Sequence, residues 1–141
     1  MSPLFFSQVH HKMKASQKVE ELKKIKLIEI LEMDEQTSLK FFSRRSEHMK
    51  HLELLTEAGR LKMEQIENLL RDKNEVDLKK TIDEYLQIHQ SQLNERQNFF
   101  KSVNEVLSIQ QMARLIVFEE QFRNQLSGLL FRERSKKMRD K

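Results

Sequence analysis

The chain has 141 residues, with 26 Lys and Arg against 22 Asp and Glu, two glycines, one proline and no cysteine. That is one domain's worth of sequence, too poor in turn formers for a β-rich fold, and without any disulfide, thiol nucleophile or thiolate metal site. The formal charge of +4 comes from interleaved charges of both signs, which suits a solvated helix surface better than a specific nucleic-acid interface, and no apolar run approaches the roughly 18 residues of a membrane span.

Residues 1–15 form an apolar, His-containing N-terminal tail. Met1-Ser2-Pro3-Leu4-Phe5-Phe6-Ser7-Gln8 reads either as the last residues of an export signal or as a plain apolar tail. It has no basic n-region and no full-length apolar h-region. A single helical domain is expected over 16–131, followed by a basic tail over 132–141.

Four helical segments follow. The first spans about Ser16 to Leu31, with Leu22, Ile25, Leu27, Ile28, Ile30 and Leu31 crowded into its last turns. Asp34 is a plausible N-cap for the second, about Glu35 to Arg71. Phe42, Met49, Leu52, Met63, Ile66 and Leu70 supply its three-four stripe, and Arg45, Thr56 and Gly59 are the weak members of that frame. Gly59 marks a bend or a close helix contact. Asp72-Lys73-Asn74-Glu75 is the polar turn that should reverse the chain. The third segment, about Val76 to Val106, places Ile82, Leu86, Leu93, Phe100, Val103 and Leu107 on one face, interrupted by His89 and Arg96. The fourth starts after Ser108, carries Met112, Leu115, Phe122, Leu126 and Leu129, and frays after Phe131 into cations that the helix macrodipole favours.

The start of the fourth helix carries the sharpest local signal. Ser108 as N-cap and Gln111 at N3 make a reciprocal capping box, and Leu107 with Met112 makes a hydrophobic staple. Losing such a cap typically costs about 1 kcal/mol. The spacing of Leu107, Ser108 and Gln111 resembles the L-T-x-x-Q motif of the Spy/CpxP group of small helical proteins. Phe118, Glu119 and Phe122 resemble the F-E-x-x-F stretch that follows it there. An earlier copy, Met33-Asp34-Glu35-Gln36-Thr37, departs from the motif: the cap is Asp34, and Gln36 falls one residue early. The resemblance implies an all-α, four-segment, long bent helical hairpin that pairs as an antiparallel cradle-shaped homodimer. It also implies a periplasmic setting, with a cytoplasmic helical interaction module as the alternative.

Candidate functional residues are few. No phosphate loop, nucleophile elbow or His-Glu-x-x-His pair is present, so catalysis is not expected. His48 and His51, three apart on one helix face beside Glu47, suit zinc or copper if His10, His11 or a second copy completes the set; such pairs also occur on plain solvated surfaces. His89 reads as a hydrogen-bonded core or interface residue. The adjacent pairs Phe41-Phe42, Leu54-Leu55, Leu69-Leu70, Phe99-Phe100 and Leu129-Leu130 are more telling. Neighbours on a helix point roughly 100° apart, so a narrow seam buries one of each pair and leaves the other for a wider core or an exposed surface. Phe41, Phe42, Arg44, Arg45, Phe99 and Phe100, aromatic groups beside cations, are the candidate contacts for unfolded or acidic polypeptide. Two functions follow from the resemblance. One is an ATP-independent chaperone or envelope-stress protein; the other is a metal or stress sensor acting on a membrane kinase or an anti-sigma partner.

Overall fold

A computed structural model describes the backbone of residues 3–139 and the side chains of residues 17–139, apart from those of Leu126, Ser127, Leu129, Leu130, Phe131, Glu133 and Arg134. The described backbone is all-α: α1 is Pro3–Leu31, α2 Glu35–Asp72, α3 Glu75–Asn104 and α4 Ile109–Arg139. The boundaries of α2, α3 and the start of α4 fall where caps and polar turns place them. The outer ends run further than expected. α1 is helical from Pro3 rather than from about Ser16, and α4 continues to Arg139 rather than fraying after Phe131. Beyond Phe131 the Arg, Glu and Lys run contains only good helix formers plus one Ser, and no Gly or Pro.

The chain divides into two compact units, residues 35–108 and residues 1–34 with 109–141. In the first, α2 and α3 pack as an antiparallel hairpin. Its turn is built from two residues. Lys73 takes a left-handed φ of 55°; its N–H reaches the Leu70 carbonyl at 3.4 Å, and the Asn74 N–H reaches that of Leu69 at 3.3 Å. This is the Schellman closure of a helix. Asn74 then opens α3, its Oδ1 accepting from the Asp77 N–H at 3.2 Å. One asparagine thus serves the end of one helix and the start of the next, and the chain reverses at once.

The hairpin seam coincides only in part with the stripe that hydropathy suggests: Arg45, Leu52, Gly59 and Ile66 of the α2 frame and Val103 and Leu107 of the third segment's face are buried or half-buried, while most other positions are displaced by one residue. On α2 it runs through Phe41, Arg45, His48, Leu52, Leu55, Gly59, Lys62, Ile66 and Leu69, all buried or half-buried. On α3 it runs through Leu78, Thr81, Tyr85, Ile88, Gln92, Glu95, Phe99 and Ser102, likewise buried or half-buried. Both rows alternate steps of three and four residues, the spacing of two helices packed along their length. Phe41 lies against Phe99 with ring centroids 6.3 Å apart, and Lys62 pairs with Glu84. Met63, Leu70, Ile82, Leu86 and Leu93, expected on the buried face, are exposed instead. The physical reason lies on α3, where the true seam spends positions on Thr81, Gln92, Glu95 and Ser102 and the row one residue on holds Ile82, Leu86, Leu93 and Phe100.

Gly59 sits inside an unbroken helix facing Ile88. A Cβ added there would meet Ile88 Cγ2 at 3.7 Å, an ordinary contact, so no close approach requires the glycine. Gly59→Ala is therefore expected to stabilise the hairpin by about 0.5–1 kcal/mol, read as a higher urea midpoint. A loss of stability would show that the helices need to approach more closely than this.

In the second unit α1 meets α4. Among the described side chains of this unit, Leu27, Leu31, Leu115 and Phe118 are buried, while Leu22, Ile25 and Ile28 of α1 are exposed. Glu32, with φ 47°, ends α1 in the left-handed region. Among the described residues no helix is long and apolar enough to cross a membrane.

Candidate functional site

The residues of the Leu107–Phe122 stretch that lie on α4 hold α1 in place. Gln111 Nε2 donates to the Leu31 carbonyl at 2.8 Å, satisfying one of the orphan carbonyls at the end of α1. Glu119 pairs with Lys23 at 3.0 Å, both largely buried. The same ammonium lies 4.9 Å from the centre of the Phe122 ring, a cation–π distance, and Phe118 and Phe122 have ring centroids 5.7 Å apart. Leu107 is buried and Ser108, the residue before α4, is exposed.

The hairpin brings together a polar cluster that sequence alone did not assemble. Glu95 Oε1 lies 3.1 Å from His48 Nδ1 and 3.3 Å from His51 Nδ1. With the proton on Nδ1, each imidazole donates to the same carboxylate oxygen. The His48 ring stacks on Phe99 with centroids 4.3 Å apart and planes 6° from parallel. Glu95 was missed because it lies one residue off the row that hydropathy selects on α3; its signal is that it falls in the same three-four row as Phe99. The metal reading of His48 and His51 gains no preformed site: among the described residues no group of three or more His, Asp or Glu could hold a metal ion. The side chains of His10 and His11 lie outside the described residues.

The polypeptide-contact candidates divide. Phe41 (0% exposed), Arg45 (3%) and Phe99 (6%) are buried, so they are packing residues and not surface contacts. Arg44 is held on α3, donating to the Ser102 carbonyl and pairing with Glu105 at 2.8 Å. Phe42 and Phe100 are half-buried at the margin of the seam. Each described apolar pair on the hairpin thus splits as helix geometry requires: Leu55 and Leu69 are half-buried, while Leu54 and Leu70 are exposed. The Leu129-Leu130 side chains lie outside the described residues.

The exposed members are not scattered. In an antiparallel helix pair the residue after each seam position falls on the same side of the hairpin from both helices, because reversing the axis also reverses the sense of rotation. That side carries Phe42, Met49, Met63 and Leu70 from α2, with Ser46, Glu53, Thr56, Arg60 and Glu67 between them, and Ile82, Leu86, Leu93 and Phe100 from α3, with Lys79, His89 and Arg96 between them. Leu86 is 58% exposed, Leu93 53% and Leu70 60%. The opposite side of α3 presents Asp77, Lys80, Glu84, Gln87, Ser91, Asn94, Asn98 and Lys101, without one apolar residue. The α2 side opposite is polar apart from Leu54, Ala58 and Leu61.

At the middle of the apolar side a shallow groove opens beside Gly59, lined by Thr56, Arg60 and Met63 from α2 and Tyr85, Ile88 and His89 from α3. His89 is exposed there rather than buried in a core, its ring 4.6 Å from that of Tyr85. Arg60 is clamped by Glu57 at 2.6 Å and Glu64 at 3.3 Å. The hydrogen bond from Arg60 holds the Glu57 carboxyl below its ordinary range, and that from Lys62 does the same for Glu84.

The chain matches no protein-family model, no curated protein and no solved structure. The likeness to the Spy/CpxP group therefore rests on the motif residues themselves.

Proposed function

We infer that this is a non-enzymatic, polypeptide-binding protein of the Spy/CpxP kind, acting without ATP on unfolded or partially folded chains from the apolar side of the α2–α3 hairpin. The observation that carries this reading is the two-sidedness of the hairpin. On α3 one side presents Ile82, Leu86, Leu93 and Phe100, joined by Phe42, Met49, Met63 and Leu70 of α2, and the other side of α3 carries no apolar residue. Contiguous exposed apolar surface is uncommon on monomeric proteins and marks interaction sites. Methionines at 49 and 63 suit a surface that must fit many partners, because the thioether chain repacks at low cost. Arg60, Lys79 and Arg96 border these rows and give weak, salt-sensitive attraction to acidic segments. The resemblance to the Spy/CpxP group supports the same reading and points to a bent four-helix hairpin, a homodimer and a periplasmic setting.

The test is light scattering from a chemically unfolded client diluted into buffer with equimolar protein and no ATP. The protein is expected to suppress aggregation. A Leu86→Ser/Leu93→Ser variant should lose most of that suppression while its folding stability stays within about 0.5 kcal/mol per site, the usual range for surface changes. Suppression that is absent, or undiminished in the folded variant, would contradict the reading.

A further inference from the structure

We propose that the groove beside Gly59 is a subsite for one aromatic side chain of the bound polypeptide, so that the hairpin takes chains bearing Trp, Tyr or Phe in preference to aliphatic ones. The proposal rests on the polypeptide-binding reading and names the part of the substrate that the site selects. Gly59 is where it begins, because the hairpin carries this residue without a packing reason. Glycine weakens a helix interior relative to alanine, and a Cβ there would meet Ile88 Cγ2 at 3.7 Å, an ordinary contact. A locally unfavourable residue with no compensating gain in packing marks a functional site. What the lack of a side chain leaves open is the floor of the groove, a space of about 490 Å³ between α2 and α3. That volume falls within the roughly 300–1,000 Å³ of small-molecule sites.

The groups around that floor are of the kinds that hold rings. Met63 offers a thioether, which contacts aromatic rings favourably. Tyr85 and His89 already meet edge to face, with centroids 4.6 Å apart and planes 68° from parallel. An incoming ring extends that cluster in the geometry such groups prefer. Arg60 supplies the cation. Its Nε and Nη2 donate to Glu57, and its Nη1 donates to Glu64 at 3.3 Å. The edge of the guanidinium is therefore engaged, and its face is what remains for a ligand. A guanidinium face stacks on an aromatic ring. An aliphatic side chain gains the apolar contact of Ile88 and Met63 but none of these π contacts, and that difference selects the ring.

The probe is a pair of short uncharged peptides identical but for one position, Trp in one and Leu in the other. Because the chain has no tryptophan, peptide fluorescence reports the site without background, and the Leu peptide is measured by competition. The Trp emission is expected to shift to the blue on binding. The Trp peptide should bind about three- to tenfold more tightly than the Leu peptide, the worth of one aromatic contact beyond its area. Gly59→Leu, which covers the groove floor, should bring the Trp peptide down to the affinity of the Leu peptide. Arg60→Gln should do so in part, and because the Arg60 side chain is 59% exposed this change leaves the seam untouched; urea midpoints verify that each variant is folded. Equal affinities for the two peptides, no blue shift with the parent protein, or an undiminished Trp preference in a folded variant of either kind would overturn the proposal. Aggregation suppression is read separately. A protein that suppresses aggregation yet binds both peptides alike refutes the aromatic subsite and leaves the polypeptide reading standing. A Trp preference without any suppression refutes the polypeptide reading and leaves a groove that binds rings.

Discussion

Replacing Phe41 by Ala is expected to cost about 3–5 kcal/mol of folding stability, the range for truncating a fully buried aromatic residue. The Phe41 side chain is 0% exposed. Its ring meets Phe42 edge-on, with centroids 5.1 Å apart and planes 77° from parallel, and lies against Phe99 across the seam. Truncation removes the apolar contact and leaves a void between two helices that have few other large buried side chains to close it. Urea denaturation followed by circular dichroism measures this directly. The comparison that makes it informative is Leu86→Ser on the same hairpin, expected to stay within about 0.5 kcal/mol. A Phe41→Ala protein as stable as the parent would mean that the seam does not run through this residue. The result also bears on function, because a binding defect in a Phe41 or Phe99 variant would report lost folding rather than a lost contact.

Glu95→Ala is expected to cost about 1–3 kcal/mol, because it takes from a buried imidazole the carboxylate that pairs with it. The His48 side chain is 9% exposed and sits 3.1 Å from Glu95, while the side chain of His51, 3.3 Å from the same oxygen, is 51% exposed. Removing the carboxylate therefore matters mainly through His48. His51→Ala should change stability by less than about 0.5 kcal/mol, since water replaces its partner. The two urea midpoints, measured side by side, separate the roles. Equal effects would show that Glu95 does not act mainly through His48, and no effect from Glu95→Ala would show that the cluster does not hold the hairpin.

The helices and their junctions were legible in the sequence because caps and turns act locally. Asn74 both closes α2 and opens α3, and the Ser108 signal falls one residue before α4. The seam was not legible in the same way. Hydropathy chose a row of Phe42, Met49, Leu52, Met63, Ile66 and Leu70 with Arg45 as a weak member; Arg45, Leu52 and Ile66 do pack, yet the packed row takes His48 and Lys62 where Met49 and Met63 were expected. A polar residue can occupy a seam when the facing helix offers a partner within reach, as Glu84 does for Lys62 and Glu95 for His48. Such partners lie 22 and 47 residues away in the chain, beyond any local pattern. The adjacent apolar pairs held the better clue, since each had to split between seam and surface; they showed that a second apolar surface exists without showing which member forms it. The same limit applied to Gln111. Its place in a capping spacing was readable, and its hydrogen bond to the Leu31 carbonyl, 80 residues away, was not.

The central claim is that polypeptide binds to the side of the hairpin that carries Met49 and Met63. Methyl-resolved NMR of ¹³C-methionine protein, titrated with an unfolded client, tests it most directly. The Met49 and Met63 methyl signals should shift or broaden in step with binding, while Met33 and Met112, which lie outside the hairpin, keep their positions. Unchanged Met49 and Met63 signals with client bound would place the binding surface elsewhere and contradict the account.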